Sequence, residues 1–268
     1  MKAILQARMK SSRLPGKVLL EAAGRPLISH NIQRIRAARL IDEVIVATTT
    51  NPEDDALEKL CRTENVPVFR GSEQDVLDRT YQCAKKYNLP EFAKFTADNP
   101  LIDPQVIDHV IQYYLDNARS YDYVSNNHPP TWQDGQEVEI IRLAALEEAW
   151  KKSDQPFQRE HVTPYIWDQP QRFRLGNVAR SDDEWYHRYR WTLDYPADYE
   201  FMKRVYGELF PGRKIFSTSD IMNLLLEHPE IERINSQHKG TVWYENHLKD
   251  LKTIKNTPPQ NPRRKEVP

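Results

Sequence analysis

Strand-like and helical segments alternate through the first half of the chain, and this rhythm limits the possible folds more than any other feature. Five short apolar or β-branched runs are typical of strands: KAILQA, IDEVIVATTT, VPVF, FAKFTA and DYVSNN. The stretches between them carry apolar residues at helical spacing, and two of these predicted helices begin at a proline, Pro26 and Pro104. Strands that alternate with helices form a mostly parallel sheet with helices on both faces. The sequence therefore predicts an α/β fold.

The second half is less regular, and it carries the predicted boundaries within the chain. Residues 137–178 read as a meandering insertion, after which YRWTLDY is predicted to be a buried strand and TSDIMNLLLEHPEI the last helix. Residues 253–268 have almost no apolar content and several prolines, a composition typical of a disordered tail. We therefore predict one domain over residues 1–252, followed by that tail.

Composition excludes several classes of protein. The chain has 38 basic and 39 acidic residues, so its net charge does not favour nucleic acid or a membrane surface as partner. Its two cysteines, Cys61 and Cys83, lie in predicted helices and have no zinc-site spacing; they indicate buried free thiols. The chain enters its first predicted strand at the N-terminus, without the charged and then apolar pattern of a leader. No apolar run approaches the ~20 residues needed to span a bilayer. We expect a cytoplasmic protein.

A cation-rich loop, ARMKSSRLPGK, directly follows the first predicted strand. In an open α/β sheet, ligands bind beyond the carboxyl ends of the strands, so this loop faces the expected ligand cleft. Its spacing matches neither a Walker A loop nor a dinucleotide-binding fingerprint, and a solvated basic loop without a ligand is the alternative. Its guanidinium and ammonium groups suit a polyphosphate, with two hydroxyl groups as further donors. The predicted binding residues are Arg8, Ser11, Ser12, Arg13 and Lys17.

Two aspartates stand at the ends of predicted strands on the same edge. Asp98 follows FAKFTA and Asp194 follows YRWTL, and each precedes a turn with a proline two residues on. Either one alone is equally well explained as a helix or turn cap. As a pair beside a polyphosphate loop they favour Mg²⁺, which prefers oxygen ligands. Phosphate and water commonly fill the positions on Mg²⁺ that carboxylates leave open.

These segments resemble a known family. QARMKSSRLPGK, ATTTNPEDDAL, FRGSEQDVLDR, TADNPLIDP, REHVTPYI and RWTLDYPADYE occur in this order and extend from the first strand to about Asn235. Together they resemble the cytidylyltransferase family of the spore-coat polysaccharide biosynthesis protein F type. That family is itself similar to the CMP-KDO and CMP-acylneuraminate synthetases.

The resemblance implies a fold, a reaction and roles for particular residues. The fold would be a Rossmann-like, GT-A-like nucleotidyltransferase sheet, and the reaction would join CTP to a sugar acid with Mg²⁺ as cofactor and pyrophosphate as a product. Residues 137–178 would form a homodimer contact. By matching positions, Arg8, Arg13 and Lys17 would hold the triphosphate, and Asp98 and Asp194 the metal. Ser72, Asp78 and Arg79 would lie near the cytosine, and Arg159, Glu160 and His161 would contact the acceptor.

The match to the sugar-acid synthetases has one departure and one gap. Those enzymes carry Gly-Asp-Glu-Pro or a near variant around the metal aspartate, whereas this chain reads Ala97-Asp98-Asn99-Pro100. The stretch NNHPPTWQDGQEVEI does not align with them. A nonulosonic acid, a KDO-like acid and a phosphorylated or phosphonate compound therefore all stay open as acceptors.

Two other functions compete with a cytidylyltransferase. A GT-A-type glycosyltransferase would use a nucleotide-sugar donor on a similar sheet, with Asp98 in its metal motif. It binds a diphosphate, however, and has less need of so cationic a loop. A non-catalytic nucleotide or RNA binder would need a basic surface that extends beyond one loop, and the balanced charge of the chain disfavours it.

Overall fold

Nine strands form a central sheet and a small hairpin in the computed structural model, which describes residues 1–117, 120–181, 184–240 and 243–254. The strands are β1 (Lys2–Gln6), β2 (Glu21–Ala22), β3 (Arg25–Pro26), β4 (Glu43–Thr49), β5 (Val68–Gly71), β6 (Glu91–Thr96), β7 (Tyr123–Ser125), β8 (Glu139–Arg142) and β9 (Leu175–Asn177). β2 and β3 form the hairpin, and the other seven form one sheet in the order β5-β4-β1-β6-β8-β7-β9.

The sheet is mostly parallel, as the alternating pattern predicts. β1 pairs in parallel with β4 and β6, and β4 pairs in parallel with β5. β8 runs antiparallel to both of its neighbours, β6 and β7. The carboxyl ends of β1, β4, β5 and β6 therefore meet at one edge of the sheet, where ligands bind in folds of this kind.

Helices cover both faces of the sheet. They are α1 (Leu27–Arg36), α2 (Asp55–Thr63), α3 (Val76–Lys86), α4 (Pro104–Asp116), α5 (Leu143–Lys152), α6 (Pro156–His161), α7 (Pro164–Trp167), α8 (Glu184–Arg188), α9 (Pro196–Leu209), α10 (Thr218–Glu227) and α11 (Pro229–Arg233). Four short 3₁₀ segments are also present among the described residues: Lys17–Leu19, Pro52–Asp54, Ser236–His238 and Trp243–His247.

The core follows the two-residue period of the strands. In β1, Ala3 and Leu5 point into one apolar cluster, which is filled from α1, α2 and α4, while Ile4 points into a second, filled from α3, α5, α6 and α7. A strand with apolar residues on both sides has to be covered on both sides, which explains its uninterrupted apolar sequence. A third cluster joins α9, α10 and α11 to Leu27 and Ala22.

Two predictions for the second half are wrong. The segment YRWTLDY is not a strand, since Arg190 makes one isolated bridge to Asp134 and Leu193 donates its N–H to the carbonyl of Asp98. Trp191 and Leu193 are buried in the apolar cluster that contains side chains of α9, α10 and α11, so the segment has the apolar content of a buried strand without being one. Residues 137–178 also do not stand apart, because β8 and β9 within them are strands of the central sheet.

The C-terminal boundary also differs from the prediction. Thr253 donates its N–H to Asp168 at 2.7 Å, and Ile254 is buried, so the first two residues of the predicted tail pack against the protein. The remainder of that tail, residues 255–268, lies outside the described residues.

Both cysteines are buried free thiols, as predicted. In the part of the chain that the structure describes, no helix has the length and apolarity to cross a membrane.

Candidate functional site

The site forms where the ends of β1 and β6 lie side by side. The N–H of Ala97 donates to the carbonyl of Gln6 at 2.9 Å, so the loop after β1 and the loop after β6 begin as neighbours. The first loop carries the cations predicted from the sequence, and the second carries Asp98. Parallel pairing thus brings together two segments that are about ninety residues apart in the chain.

Asp194 reaches the same point through backbone contacts rather than through a strand. The N–H of Leu193 and the hydroxyl of Thr192 both donate to the carbonyl of Asp98, at 2.7 and 3.2 Å. Lys17 then lies between the two carboxylates, with its Nζ 2.9 Å from Asp194 Oδ1 and 3.7 Å from Asp98 Oδ2. The structure therefore brings Asp98 and Asp194 to one point of the cleft.

The turn of the cationic loop directs Arg13 and Lys17 to this point. Gly16 has φ +69, a conformation that favours glycine, and its N–H closes the loop onto the carbonyl of Met9 at 2.8 Å. Arg13 Nη2 lies 3.0 Å from Asp194 Oδ1, and Lys17 also donates to the carbonyl of Leu193 at 2.7 Å. Burial alone would raise the pKa of Asp194, but the nearby cations outweigh it and hold that pKa below the usual value.

The two aspartates suit a divalent cation that is bound partly by the protein and partly by a substrate. Lys17 shows that a positive charge is accommodated between them. Within the described ranges, no group of three or more His, Cys, Asp or Glu side chains is placed to hold a metal ion. One or two carboxylates, completed by phosphate oxygens and water, are a usual arrangement for Mg²⁺. The donor set is therefore suited to a metal that arrives with a nucleotide.

A buried arginine that the sequence reasoning missed organises the acidic residues behind this point. Arg190 is 3% exposed and lies 3.1 Å from Asp198, 3.0 Å from Asp134 and 3.4 Å from Asp194. Asp198 also accepts the N–H groups of Asp194 and Tyr195, each at 2.9 Å. The spacing of Arg190, Asp194 and Asp198 at four-residue intervals is a signal in the sequence that could have revealed this cluster.

The loop DGQE between β7 and β8 adds two further carboxylates, Asp134 and Glu137. Glu137 accepts from Asn99 Nδ2 at 2.6 Å and from the N–H of Gly135 at 3.0 Å. Burial raises the pKa of Glu137 to about 7, and the charge of Asp98 contributes to the rise. Part of the acidic charge in the cleft is therefore neutralised by protonation near neutral pH.

Gly135 allows this loop to lie against the segment that carries Asp194. Its φ is +107, and a Cβ at this position would lie 2.6 Å from the carbonyl carbon and oxygen of Trp191. We expect Gly135→Ala to lower the free energy of unfolding by at least about 2 kcal/mol, because backbone strain and overpacking add. Urea denaturation measures the loss, and Gly207→Ala is the control, since a Cβ at Gly207 meets nothing within 4 Å. Equal stability of the two variants would contradict this account.

A cavity of about 520 Å³ extends from the two aspartates into the second apolar cluster. One end is lined by Arg13, Asp98 and Asp194. The other end is lined mainly by aromatic and buried polar side chains: Lys94, Glu139, His161, Trp167 and Trp243. Of the predicted acceptor residues, His161 lines this cavity.

The other two predicted acceptor residues lie elsewhere. Arg159 donates from Nε to Asp75 at 2.9 Å and from Nη1 to the carbonyl of Trp150 at 2.6 Å, which ties α6 to the start of α3. Glu160 is exposed. Neither residue is among those that line the cavity, and their role as acceptor contacts stays a prediction.

The predicted nucleotide residues outside the cavity lie around the start of α3 and along the loop. Arg79 is buried and donates to the carbonyl of Ser72 at 2.6 Å, and burial together with the charge of Arg8 lowers the pKa of Arg79 to about 10. Asp78 accepts from the indole N–H of Trp150 at 2.8 Å. Ser11 accepts the N–H of Leu14 at 3.4 Å, and Ser12 is exposed. Their contacts to a nucleotide stay predictions.

Known proteins share both the sequence pattern and the fold. A family model described as cytidylyltransferase matches residues 2–235. An uncharacterized protein of Methanocaldococcus jannaschii is 37% identical over 90% of this chain and 97% of its own length. The spore coat polysaccharide biosynthesis protein SpsF of Bacillus subtilis is 33% identical over 85% of this chain and 94% of its own length.

Two solved structures superpose on the chain. A cytidylyltransferase from Leptospira borgpetersenii has a TM-score of 0.80 at 30% identity, and the match covers 85% of this chain and 94% of that one. A CMP:2-keto-3-deoxy-manno-octonic acid synthetase complexed with CTP has a TM-score of 0.59 at 18% identity, with coverage of 77% and 98%. The second likeness shows the fold alone.

Proposed function

This chain belongs to the cytidylyltransferase family, and from that premise we propose that it transfers CMP from CTP to a sugar acid or related acceptor, with release of pyrophosphate, for surface polysaccharide synthesis. The family resemblance predicted from the motifs is confirmed, and the chain is a CTP-dependent nucleotidyltransferase with a Rossmann-like fold. Membership favours this reaction over that of a glycosyltransferase. The observation that carries the proposal is the meeting of Arg13 and Lys17 with Asp98 and Asp194 at one point of the cleft.

The proposed chemistry uses these four side chains for positioning and charge neutralisation. The acceptor hydroxyl loses its proton to water, and its oxygen attacks the α-phosphorus of CTP in line. The bond between that phosphorus and the oxygen bridging to the β-phosphate breaks, and pyrophosphate leaves with that oxygen. Such transfer depends on placing the two reactants and on balancing charge at the phosphoryl oxygens. Arg13 and Lys17 stabilise the charge that develops on the leaving pyrophosphate.

In this proposal Asp98 and Asp194 would hold Mg²⁺. When bound, the metal supplies charge stabilisation at the phosphate and lowers the pKa of an acceptor hydroxyl. With the metal in place, Lys17 would exchange its contacts with the two carboxylates for contacts with phosphate, for which an ammonium is equally suited.

A pyrophosphate-release assay with Mg²⁺, each common triphosphate and a panel of sugar acids and sugar phosphates tests the function. We expect release with CTP, and we expect Lys17→Met to lower the rate at least about a hundredfold. Lys10→Met is the matched control, because Lys10 is an exposed cation of the same loop, 67% exposed, and pairs with Glu73 rather than with the two aspartates. Transfer from a nucleotide sugar without pyrophosphate release would overturn the proposal.

We further propose that the enzyme works in the cytoplasm as a homodimer whose contact includes residues 137–178. Family resemblance supports this assembly. Within residues 137–178, β8 lies between β6 and β7, whereas β9 is an edge strand of the sheet, so the outer side of β9 would be available for such a contact. Light scattering coupled to gel filtration measures the mass of the particle, and a monomer at working concentration would contradict the dimer.

A further inference from the structure

The end of the cavity remote from Asp98 and Asp194 is closed by a segment that lies beyond the family match. The match ends at residue 235, yet Trp243, Tyr244 and Ile254 line the cavity. We call residues 243–254 the C-terminal strap. Asp168 fixes the strap by accepting from the N–H groups of Lys252 and Thr253, at 2.8 and 2.7 Å. Trp243 stacks on His161 with ring centroids 3.8 Å apart.

The floor of this end is a buried ion pair, Lys94 with Glu139, on neighbouring antiparallel strands. The hydroxyls of Tyr123 and Thr163 both donate to Glu139 Oε1 at 2.6 Å. Burial would raise the pKa of Glu139, but Lys94 and the two hydroxyls outweigh it and keep that pKa below the usual value. Glu139 is therefore a carboxylate at neutral pH, held in place from three sides.

Lys94 has hydrogen-bonding capacity that the described residues do not use. Its ammonium carries three donors, and the hydrogen bond described for it goes to Glu139. The residue is 7% exposed and lines the cavity, so its remaining donors are available to acceptor atoms inside the cavity. Oxygen atoms of water or of a bound hydroxylated ligand can accept from them there.

The charge at this end is balanced. Burial lowers the pKa of His161 to about 3 and that of His128 to about 4, so both imidazoles that line the cavity are neutral near pH 7. Glu139 neutralises Lys94 at this end, and at the opposite end three aspartates surround Arg190. A phosphate or second carboxylate here would face Glu139 without an unpaired cation among the described lining residues.

We infer that the Lys94–Glu139 pair and Trp243 form a subsite for an uncharged, polyhydroxylated end of the acceptor, and that the C-terminal strap is a determinant of acceptor specificity. This inference rests on the proposed function and deepens it. An amine beside a carboxylate donates to one hydroxyl oxygen and accepts from the next, so the pair matches a vicinal diol. The aromatic wall at Trp243 suits the apolar face of a sugar chain, since ligand sites combine such walls with few placed polar groups. The acid group of the acceptor would lie toward the reacting end of the cavity.

Two acceptors that differ only at the remote end test the inference. The probes are 3-deoxy-manno-octulosonate and its 8-phosphate, each supplied with CTP and Mg²⁺. We expect kcat/KM for the unphosphorylated acid to exceed that for the 8-phosphate at least about tenfold. Equal use of both, preference for the phosphate, or binding of neither acid by calorimetry in the presence of CTP would overturn the inference.

Variants of the subsite show whether it affects binding of the acceptor without affecting binding of CTP. Trp243→Ala and Lys94→Gln should each raise the acceptor KM about tenfold and leave the CTP KM within about twofold. Lys249→Ala, an exposed position in the strap, is the matched control. If Lys94→Gln does not fold, as circular dichroism would show, Trp243→Ala at the partly exposed wall still decides. Acceptor KM values that do not change would overturn the inference while the proposed function stands, whereas absence of CTP-dependent pyrophosphate release with every acceptor would overturn both.

Discussion

Replacing Asp98 by asparagine is expected to lower kcat at least about a hundredfold, because the change removes a charge that acts on the transition state. Asp98 lies at the end of β6 and faces Lys17 and Asp194 in the cleft. The asparagine keeps the size and part of the hydrogen bonding of the side chain, so the fold should persist. It loses the negative charge that would hold a divalent cation against the triphosphate.

The measurement is pyrophosphate release at saturating CTP over a range of Mg²⁺ concentrations. Because the variant would hold the cation through Asp194 alone, we expect half-maximal activity to require more Mg²⁺ than in the native enzyme. Asp116→Asn is the matched control, since Asp116 is an exposed residue at the end of α4 that accepts from Gln112 at 2.8 Å. Near-native turnover of Asp98→Asn would refute the role given to this carboxylate.

The first half of the fold could be predicted because its signals are local. Four of its five predicted strands are apolar runs followed by a helix that begins near a proline or a capping aspartate, and Asp75 and Asp103 do cap α3 and α4. The parallel order of such strands follows from their alternation with helices. The position of the basic loop at the ligand edge then follows from the parallel order, and the structure places Arg13 and Lys17 there.

The second half could not be predicted in the same way, because its contacts are long-range. Trp191 and Leu193 in the extended segment 190–193 are buried by residues of α9, α10 and α11, and neither the length nor the burial of the segment distinguishes it from a strand. Its position depends on the carbonyl of Asp98, whose place is known only once β6 is in the sheet. The pairing of Asp98 with Asp194 could still be proposed, because each follows a predicted strand. The segment before Asp194, however, is not a strand in the structure.

Charged residues within apolar strands were the signal that went unused. Lys94 in FAKFT and Glu139 in EVEII each interrupt a run that is otherwise buried, and the structure pairs them across β6 and β8. A buried charge needs a partner, so two such interruptions indicate either an ion pair or a site. Predicting that Lys94 pairs with Glu139 requires the strand order, because β8 lies between β6 and β7 in the sheet although it follows β7 in the chain.

Replacing Arg190 by methionine should lower the free energy of unfolding by about 3–5 kcal/mol, the usual cost of leaving one side of a buried ion pair without its partner. The change leaves three neighbouring aspartates without the cation that they share, and the side chain of one of them, Asp198, is 0% exposed. The charge of Arg190 lowers the pKa values of Asp134 and Asp194, so both values would rise in the folded variant. A group whose folded pKa is raised favours folding at low pH and loses that contribution as pH rises, so the deficit should be larger at pH 8 than at pH 5.

Urea denaturation at several pH values measures this deficit, and two further variants identify its cause. Arg188→Met should change stability by less than about 0.5 kcal/mol, because Arg188 is 56% exposed and lies 3.8 Å from Glu232. Arg190→Met combined with Asp198→Asn should recover part of the loss, since it removes one of the stranded charges while Asn235 can still contact the amide. A deficit that does not change with pH and is not reduced in the double variant would mean that Arg190 acts through packing, and that Asp194 does not depend on it for its position in the cleft.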